Sequence, residues 1–268
     1  MRHRLLATAI IAQIFAVALP APLAAQDPLR GVALDTLDMT QAEMSRGEVE
    51  AVLAAARESG KRADLAARRL SGLDLSGLDF SRAILRSARL NKTRLAGADL
   101  AGAILNQAWL LGADLTGATL IGASLFQTQM RGAILDRADL SGARLAADLT
   151  KASLRGANLA GADLSADMRN QSMGLMRGVL RSANLEGADL TGANLSRASF
   201  EFASLRSANL TGANLMSAEL AGADLTGANV TGADFTKADL TSAKLRQLTG
   251  AESSTLACAR NLSRAIRD

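Results

Sequence analysis

The sequence has few of the residues that usually carry catalysis or cross-link a chain. It contains one histidine, His3, one cysteine, Cys258, and no tyrosine. A single cysteine excludes an intramolecular disulfide, and without further histidines the chain lacks the usual general acid or base of neutral pH. Zinc sites also need several histidine or cysteine ligands. We therefore expect no enzymatic activity, no catalytic, cofactor-binding or metal-binding residues and no cofactor, and we interpret Cys258 as a small packing residue.

The first 25 residues have the three-part pattern of an export signal. Arg2 and Arg4 provide the positive start, an apolar run follows over 5–19, and the small pair Ala24-Ala25 closes the segment. This order predicts cleavage after Ala25 and a periplasmic or secreted protein. The apolar run has 15 residues, whereas a membrane span needs about 20. A retained membrane anchor is the alternative. Cleavage would lower the net charge from +4 to +2, because the segment contains two arginines and no acid.

Leucine recurs at every fifth position over most of the remaining chain. An uninterrupted run includes Leu95, Leu100, Leu105, Leu110, Leu115, Leu120 and Leu125. Alanine stands two residues before nearly every one of these positions, and at all thirteen of them between Ala183 and Ala243. On an α-helix, five residues turn well past one circle, so the leucines would spread over every face. On a flat strand they would alternate between faces. A single apolar core therefore requires the chain to turn a corner once per unit.

The unit, as in Ala188-Asp189-Leu190-Thr191-Gly192, resembles the repeat of the pentapeptide-repeat family over roughly residues 70–247. The resemblance implies an all-β solenoid, a right-handed quadrilateral β-helix with four units in each coil. Within a unit, alanine and leucine point inward and the intervening aspartate or asparagine points outward. Trp109, Phe126 and Phe202 fall at outward or corner positions of different units, so we interpret them as isolated surface rings.

The five-residue frame is interrupted between Leu145 and Leu180. The next core residue after Leu145 is Leu149, four positions on, and Met168 again follows its predecessor by four. An irregular segment, 169–173, comes next, and Leu175 restores the original frame. The interruption, over 166–178, has two interpretations: a tolerated distortion of two coils, or a protruding loop that contacts a partner.

Five segments follow from these patterns: a signal peptide over 1–25, an extended or disordered arm over 26–39, an N-terminal capping helix over 40–60, the repeats over 61–250 and a C-terminal helix over 251–268. Two candidate capping boxes, Thr40–Glu43 and Ser45–Glu48, precede the first helix. Arg68 would occupy an inward position, which is unfavourable for a charge. We therefore expect the closed coil to start at Leu70 or Leu73.

These features predict a non-catalytic structural or protein-interaction scaffold of the periplasm or cell exterior. Between Lys61 and Gly97 there are nine basic residues against three aspartates, which would suit contact with an anionic membrane surface or partner. The family resemblance implies an alternative, a DNA mimic that binds topoisomerases and confers quinolone resistance. A positive chain with an export signal disfavours it, because DNA mimicry needs strong negative charge. The C-terminal segment has two interpretations: a cap of the last coil or, as the resemblance implies, the contact of a homodimer.

Overall fold

A computed structural model describes Leu29, residues 31–168 and residues 176–267 of the chain. They belong to two compact units, Met1–Leu34 and Asp35–Asp268. The described part of the first unit is a turn in which the Val32 N–H donates to the Leu29 carbonyl at 3.0 Å. The predicted signal peptide over 1–25 lies outside the described residues. No helix in the described ranges is long and apolar enough to cross a membrane.

Two helices precede the repeats in the second unit. Helix α1 spans Leu37–Thr40 and α2 spans Arg46–Glu58. The predicted arm over 26–39 is wrong in its last residues, because α1 forms there and buries Met39.

The predicted capping box at Ser45 does start α2. The Ser45 N–H donates to the Glu48 carboxylate at 2.7 Å, and the Ser45 hydroxyl accepts from the Glu48 N–H. Val49 and Leu53 are buried in the same core as the repeats, so α2 covers the first coil. This packing shields apolar side chains and backbone edges that an open coil would expose.

The repeats wind into coils that pair through parallel β-bridges. Asp64 bridges Ile84, and Ile84 bridges Ile104, so a regular coil consists of four five-residue units. Within the described ranges, each side of a coil contributes one bridged residue instead of a longer strand. Corners on either side of each bridge limit the strands to this length. The bridges nevertheless leave few backbone groups of the inner coils unpaired, as burial requires.

The first coil starts at Leu65, which is 1% exposed, and not at Leu70 or Leu73 as the sequence predicted. The inward position of Arg68 is tolerated because its side chain remains 57% exposed and reaches Glu43 at 3.5 Å. A charged side chain can leave the core here because it lies at the end of the stack.

The core is a closed column of leucine and alanine side chains. Leu100, Leu120 and Ala213, for example, are completely buried. Phe80, Phe200 and Phe235 are the largest side chains that the column admits. Each buried leucine contributes on the order of 1.5–3 kcal/mol. Because these core side chains are almost completely buried, the outward side chains are the ones that a partner can contact.

Corners are built from two residues after each core position. The second corner residue has a positive φ, whether it is Gly102 at 62° or Arg82 at 59°. The outward side chain before the core position caps the corner: Asp99 Oδ1 accepts from the Ala101 N–H at 2.9 Å. This local hydrogen bond explains why aspartate and asparagine recur at the position.

The frame interruption contains a deletion followed by an insertion. Gln129 bridges Asp148, only 19 residues away, whereas Asp148 bridges Val179, 31 residues away. The predicted core position of Met168 is wrong, since that side chain is 47% exposed. The chain leaves the coil before Met168, and the Asp167 N–H donates to the Met176 carbonyl at 2.7 Å to close the base of the inserted segment. The predicted irregular residues 169–173 and the frame-restoring Leu175 lie outside the described residues.

The predicted C-terminal helix over 251–268 is wrong. Three short 3-10 helices, Ala251–Ser253, Leu256–Cys258 and Leu262–Arg264, stand in its place. Between them the chain continues to pair with the preceding coil. The bridges are Asp239↔Arg260 and Lys244↔Ile266. Pairing with an open coil edge satisfies more backbone groups than an isolated helix with a narrow apolar face would. Gly250 and Asn261, in the left-handed region, interrupt any continuous helix.

Candidate interaction surfaces

Four columns of outward side chains run along the stack of coils, and two of them differ clearly in chemistry. The aspartate face consists of Asp79, Asp99, Thr119, Asp139, Asn158, Asp189, Asn209, Asn229 and Thr249. Asparagine side chains connect its coils: Asn209 Nδ2 donates to Asp189 Oδ1 at 3.2 Å, and Asn158 Nδ2 donates to Asp139 Oδ1 at 3.1 Å. The result is an ordered polar face whose carboxylates are already hydrogen-bonded.

The isoleucine face lies beside it and begins with Asp64, Ile84, Ile104, Ser124 and Arg144. Ile84 and Ile104 are only half-buried at outward positions where most units carry a polar residue. The sequence alone does not single them out, because an isolated isoleucine at an outward position is common. The bridges place the two isoleucines in successive coils, which only the coil geometry shows.

A basic groove of about 200 Å³ separates the end of α2 from the first two coils. We define it by Arg57, Lys61, Arg62, Ser81 and Arg82, with Asp79 on the same wall. Arg57 pairs with Asp79 at 2.9 Å. Hydrogen bonds from Ser81, followed by the contact with Arg57, lower the pKa of Asp79. The remaining basic side chains give the groove an excess of positive charge.

Other members of the predicted basic cluster are neutralised by acids. Arg69 lies 2.7 Å from Asp38, and Arg68 lies 3.5 Å from Glu43. The hydrogen bond from the Arg69 N–H is the largest cause of a lowered pKa at Glu43, and Asp38 raises the pKa of Arg69. These pairs attach the segment around α1 to the first coil. The basic region between Lys61 and Gly97 is therefore only partly available to a partner.

The inserted segment is attached to the coils by a charged clamp. Arg177 donates two hydrogen bonds to the Glu219 carboxylate, at 2.7 and 2.6 Å, and a third to the Arg197 carbonyl at 2.9 Å. Arg177 is 18% exposed, so much of this pair is shielded from water. Bidentate geometry and partial burial make the pair stronger than an exposed ion pair. The clamp holds the end of the insertion against coils further along the stack.

The three surface aromatics do not form a stripe. Trp109 is half-buried, Phe126 lies 5.3 Å below the guanidinium of Arg144, and Phe202 is 65% exposed at a different corner. Base-stacking platforms for single-stranded nucleic acids need aromatics along one groove, which this arrangement does not provide.

Among the described residues, no group of three or more histidine, cysteine, aspartate or glutamate side chains could hold a metal ion. Cys258 is exposed, so its predicted packing role is wrong. It lies at a corner, where its carbonyl accepts from the Lys237 N–H.

The aspartates near the C-terminal end have lowered pKa values. Burial raises the pKa of Asp224, but hydrogen bonds from Thr226 and contact with Lys244 outweigh it and bring the value to about 2. Hydrogen bonds from Thr236 and Thr255 lower the pKa of Asp234. Carboxylates with such values remain ionised near neutral pH and are poor general acids.

The coil geometry defines a repeat solenoid, and comparison with known proteins identifies its family. The family model for pentapeptide repeats matches eight copies, over residues 61–95, 93–132, 110–146, 123–166, 179–212 and 213–247. The chain therefore belongs to the pentapeptide repeat family. Among curated proteins, no relative matches the chain.

Several solved structures are similar to this chain. HetL, a pentapeptide repeat protein involved in heterocyst differentiation regulation in Nostoc sp. strain PCC 7120, is 31% identical, with a TM-score of 0.40, and the match covers 83% of this chain and 99% of HetL. A pentapeptide repeat protein of the Arabidopsis thaliana thylakoid lumen is also 31% identical, with 48% and 68% coverage and a TM-score of 0.29.

QnrB1, a plasmid-mediated fluoroquinolone resistance protein, is 20% identical. The match covers 73% of this chain and 91% of QnrB1, with a TM-score of 0.45.

Proposed function

We propose that the chain is a non-catalytic scaffold that binds another protein through the outward faces of its coils. The observation that carries this proposal is the local fixation of outward side chains. Asp189 Oδ1, for example, accepts both the Thr191 N–H at 3.0 Å and the Thr191 hydroxyl. Side chains held in this way lose little conformational freedom when a partner binds. A right-handed winding of the coils, as the family resemblance implies, is part of the proposal.

Affinity capture with face-specific variants tests the scaffold role. Asp99→Lys with Asp139→Lys changes the aspartate face, and Lys151→Asp changes an exposed corner elsewhere. A specific protein partner should be retained by the wild type, lost by the variants of one face and kept by those of the other. Melting temperatures must remain equal for the comparison to hold. If the partner is captured equally well by the wild type and by every surface variant, the proposal that one face binds the partner is wrong.

Export to the periplasm or cell exterior, with cleavage near Ala25, is a further part of the proposal. It rests on the charged, apolar and small-residue order of the first 25 residues. N-terminal sequencing of the protein purified from its native source is the direct test. A protein that starts at Met1 in the cytoplasm would contradict export.

DNA mimicry is the second candidate function, and the aspartate face is the observation in its favour. Asp79, Asp99, Asp139 and Asp189 align along one side of the stack. QnrB1 is described as a fluoroquinolone resistance protein. If this chain were a DNA mimic, we would expect it to confer the same resistance. The net charge of +4 and the basic groove oppose it, because a DNA-like rod needs negative charge along its length.

We also propose a homodimer through the C-terminal coil. Leu256 and Leu262 pack against the core yet remain only partly buried. Two copies that meet at this coil would cover these side chains and pair its backbone edge.

A further inference from the structure

The basic groove arises from the coil repeat. Asp64 bridges Ile84, so Arg62 and Arg82, each two residues earlier, occupy the same corner in successive coils. Lys61 precedes Arg62 at this corner, and the three side chains line the groove with Arg57. Ion pairs among the described residues engage Arg57 but not Lys61, Arg62 or Arg82. Three cations thus converge on a groove of about 200 Å³, which is wide enough for a phosphate group.

The acids on the same side do not cancel this charge. Asp79 is already paired with Arg57 and accepts from the Ser81 N–H at 2.9 Å. Asp64 Oδ1 accepts from the Ala66 N–H at 3.0 Å. Its single negative charge offsets only one of the three positive charges of Lys61, Arg62 and Arg82. The groove therefore keeps an excess of positive charge and suits a ligand with negative oxygens.

Apolar side chains continue along the stack of coils from the groove. Ile84 lies two residues after Arg82, and Ile104 is its bridge partner on the isoleucine face. Ile121, in the coil after the one that contains Ile104, is 46% exposed. The Gly102 N–H donates to the Ile121 carbonyl at 2.9 Å, which places Ile121 against the coil that contains Ile104. Two half-buried isoleucines and one exposed isoleucine in successive coils, next to three cations, form a mixed basic and apolar surface.

We propose that this surface docks on a membrane that contains anionic phospholipids. The groove residues bind the phosphate oxygens of a headgroup, and the three isoleucines reach the boundary between headgroups and acyl chains. Electrostatic attraction combined with buried apolar area is the usual physical basis of peripheral membrane binding. The isoleucines distinguish this ligand from a nucleic acid, whose phosphates offer no adjacent apolar layer. This inference goes beyond the proposed binding of a protein partner and does not depend on it.

Vesicle co-sedimentation with the purified full chain tests the charged part of the surface. More protein should sediment with vesicles of phosphatidylglycerol and phosphatidylcholine than with phosphatidylcholine alone, and high salt should remove the difference. Arg82→Gln should lower the partition coefficient about fivefold. Lys237→Gln is the matched control, because Lys237 also occupies a second corner position, with φ 61° against 59° for Arg82. Binding of this control should equal that of the wild type.

The apolar part has its own matched pair. Ile104→Ser should weaken vesicle binding, whereas Ile134→Ser should not, because Ile134 is an exposed outward isoleucine on a different face. All variants share residues 1–25, so differences between them cannot come from that apolar run. Melting temperatures confirm that each variant folds.

Equal binding to both vesicle types would overturn the proposal. Equal effects of Arg82→Gln and Lys237→Gln, or of Ile104→Ser and Ile134→Ser, would also overturn it. So would complete displacement of the protein from vesicles by an equal concentration of inorganic phosphate. The last result would indicate a site for a free anion. Tighter binding to duplex DNA through the same residues would assign the surface to nucleic acid. Because the assay contains only the purified chain and lipid, its outcome is separate from the search for a protein partner.

Discussion

Gly178 lies directly against Leu164, at the point where the inserted segment rejoins the coil. The Gly178 N–H donates to the Leu164 carbonyl at 2.9 Å, and a Cβ atom on Gly178 would lie 2.9 Å from the Leu164 Cβ. Regular units carry alanine at this inward position, as at Ala183. The insertion brings backbone so close to Leu164 that only glycine fits.

Gly178→Ala should therefore destabilise the protein although it restores the repeat consensus. The added methyl group would also contact backbone carbonyls of Leu164 and Leu145, which cannot move independently of the coils. We expect a loss of about 1–3 kcal/mol in the free energy of unfolding, the usual range for overpacking. Gly47→Ala is the control: this helical glycine has nothing near its Cβ position, so the change should stabilise α2 slightly. Denaturant unfolding of both variants measures the difference, and a Gly178→Ala protein as stable as the wild type would contradict the close packing.

Inward and outward positions of one unit should differ sharply in tolerance. Ala213 is completely buried, so Ala213→Arg would place an unpaired charge in the core at a loss of several kcal/mol. Thr211→Arg, at the preceding corner, should change stability by less than about 1 kcal/mol. Thermal unfolding of the two variants is the measurement. Equal melting temperatures would show that the inward and outward positions are wrongly placed.

Acid should destabilise the C-terminal coils between about pH 4 and about pH 2. The pKa of Asp224 is lowered to about 2, whereas an unfolded aspartate has a value of about 3.9. A carboxyl group with a lowered pKa contributes its full stabilisation above the unfolded value and loses it as the pH falls through the folded value. Melting temperatures should therefore fall over this interval.

Asp224→Asn should make that decline shallower. Asparagine occupies the equivalent position at Asn214 and Asn229, where it keeps the corner hydrogen bond. The substitution therefore removes the charge that faces Lys244 and leaves the corner intact. Identical pH profiles for variant and wild type would exclude Asp224 as a source of the acid sensitivity.

The proposed dimer makes a prediction about mass in solution. Light scattering should give the mass of two chains for the wild type and the mass of one chain for Leu262→Glu. Leu262 is partly buried, so the substitution would place a negative charge in the dimer contact. Ser182→Glu, at an exposed corner several coils away from that contact, should leave the dimer intact. Deletion of residues 251–268 should yield monomers if the segment is the dimer contact, whereas association or precipitation would show that it caps the coil that contains Leu245. A wild type that remains monomeric at high concentration would exclude the dimer.

DNA mimicry can be tested separately by an assay of DNA supercoiling. The purified chain should not inhibit DNA gyrase, because a chain of net charge +4 presents the wrong field to a DNA-binding site. Protection of gyrase from a fluoroquinolone is the second readout, and it should also be negative. Inhibition that disappears in the Asp99→Lys, Asp139→Lys variant would instead favour the aspartate face as a DNA mimic.

The outer ends of the solenoid differ in how well they could be predicted. Ser45 and Glu48 form the capping box that their spacing indicated, because such a box involves only neighbouring residues. Leu256 and Leu262 have helical spacing too, yet they form part of another coil. The open edge of the preceding coil decided this outcome, and no local pattern reveals that edge.

The five-residue period, together with the family resemblance that it carries, determined the fold class and the inward alanine and leucine positions. This was possible because the same local pattern recurs in every unit. Alanine and leucine point into a narrow core, and the outward residue between them caps the corner. Only the tertiary structure decided which outward residues meet, since neighbours on a face are about 20 residues apart in sequence. The alignment of Arg62 with Arg82, the isoleucines beside them and the contact between Gly178 and Leu164 all depend on how successive coils stack, and that stacking depends on every intervening unit.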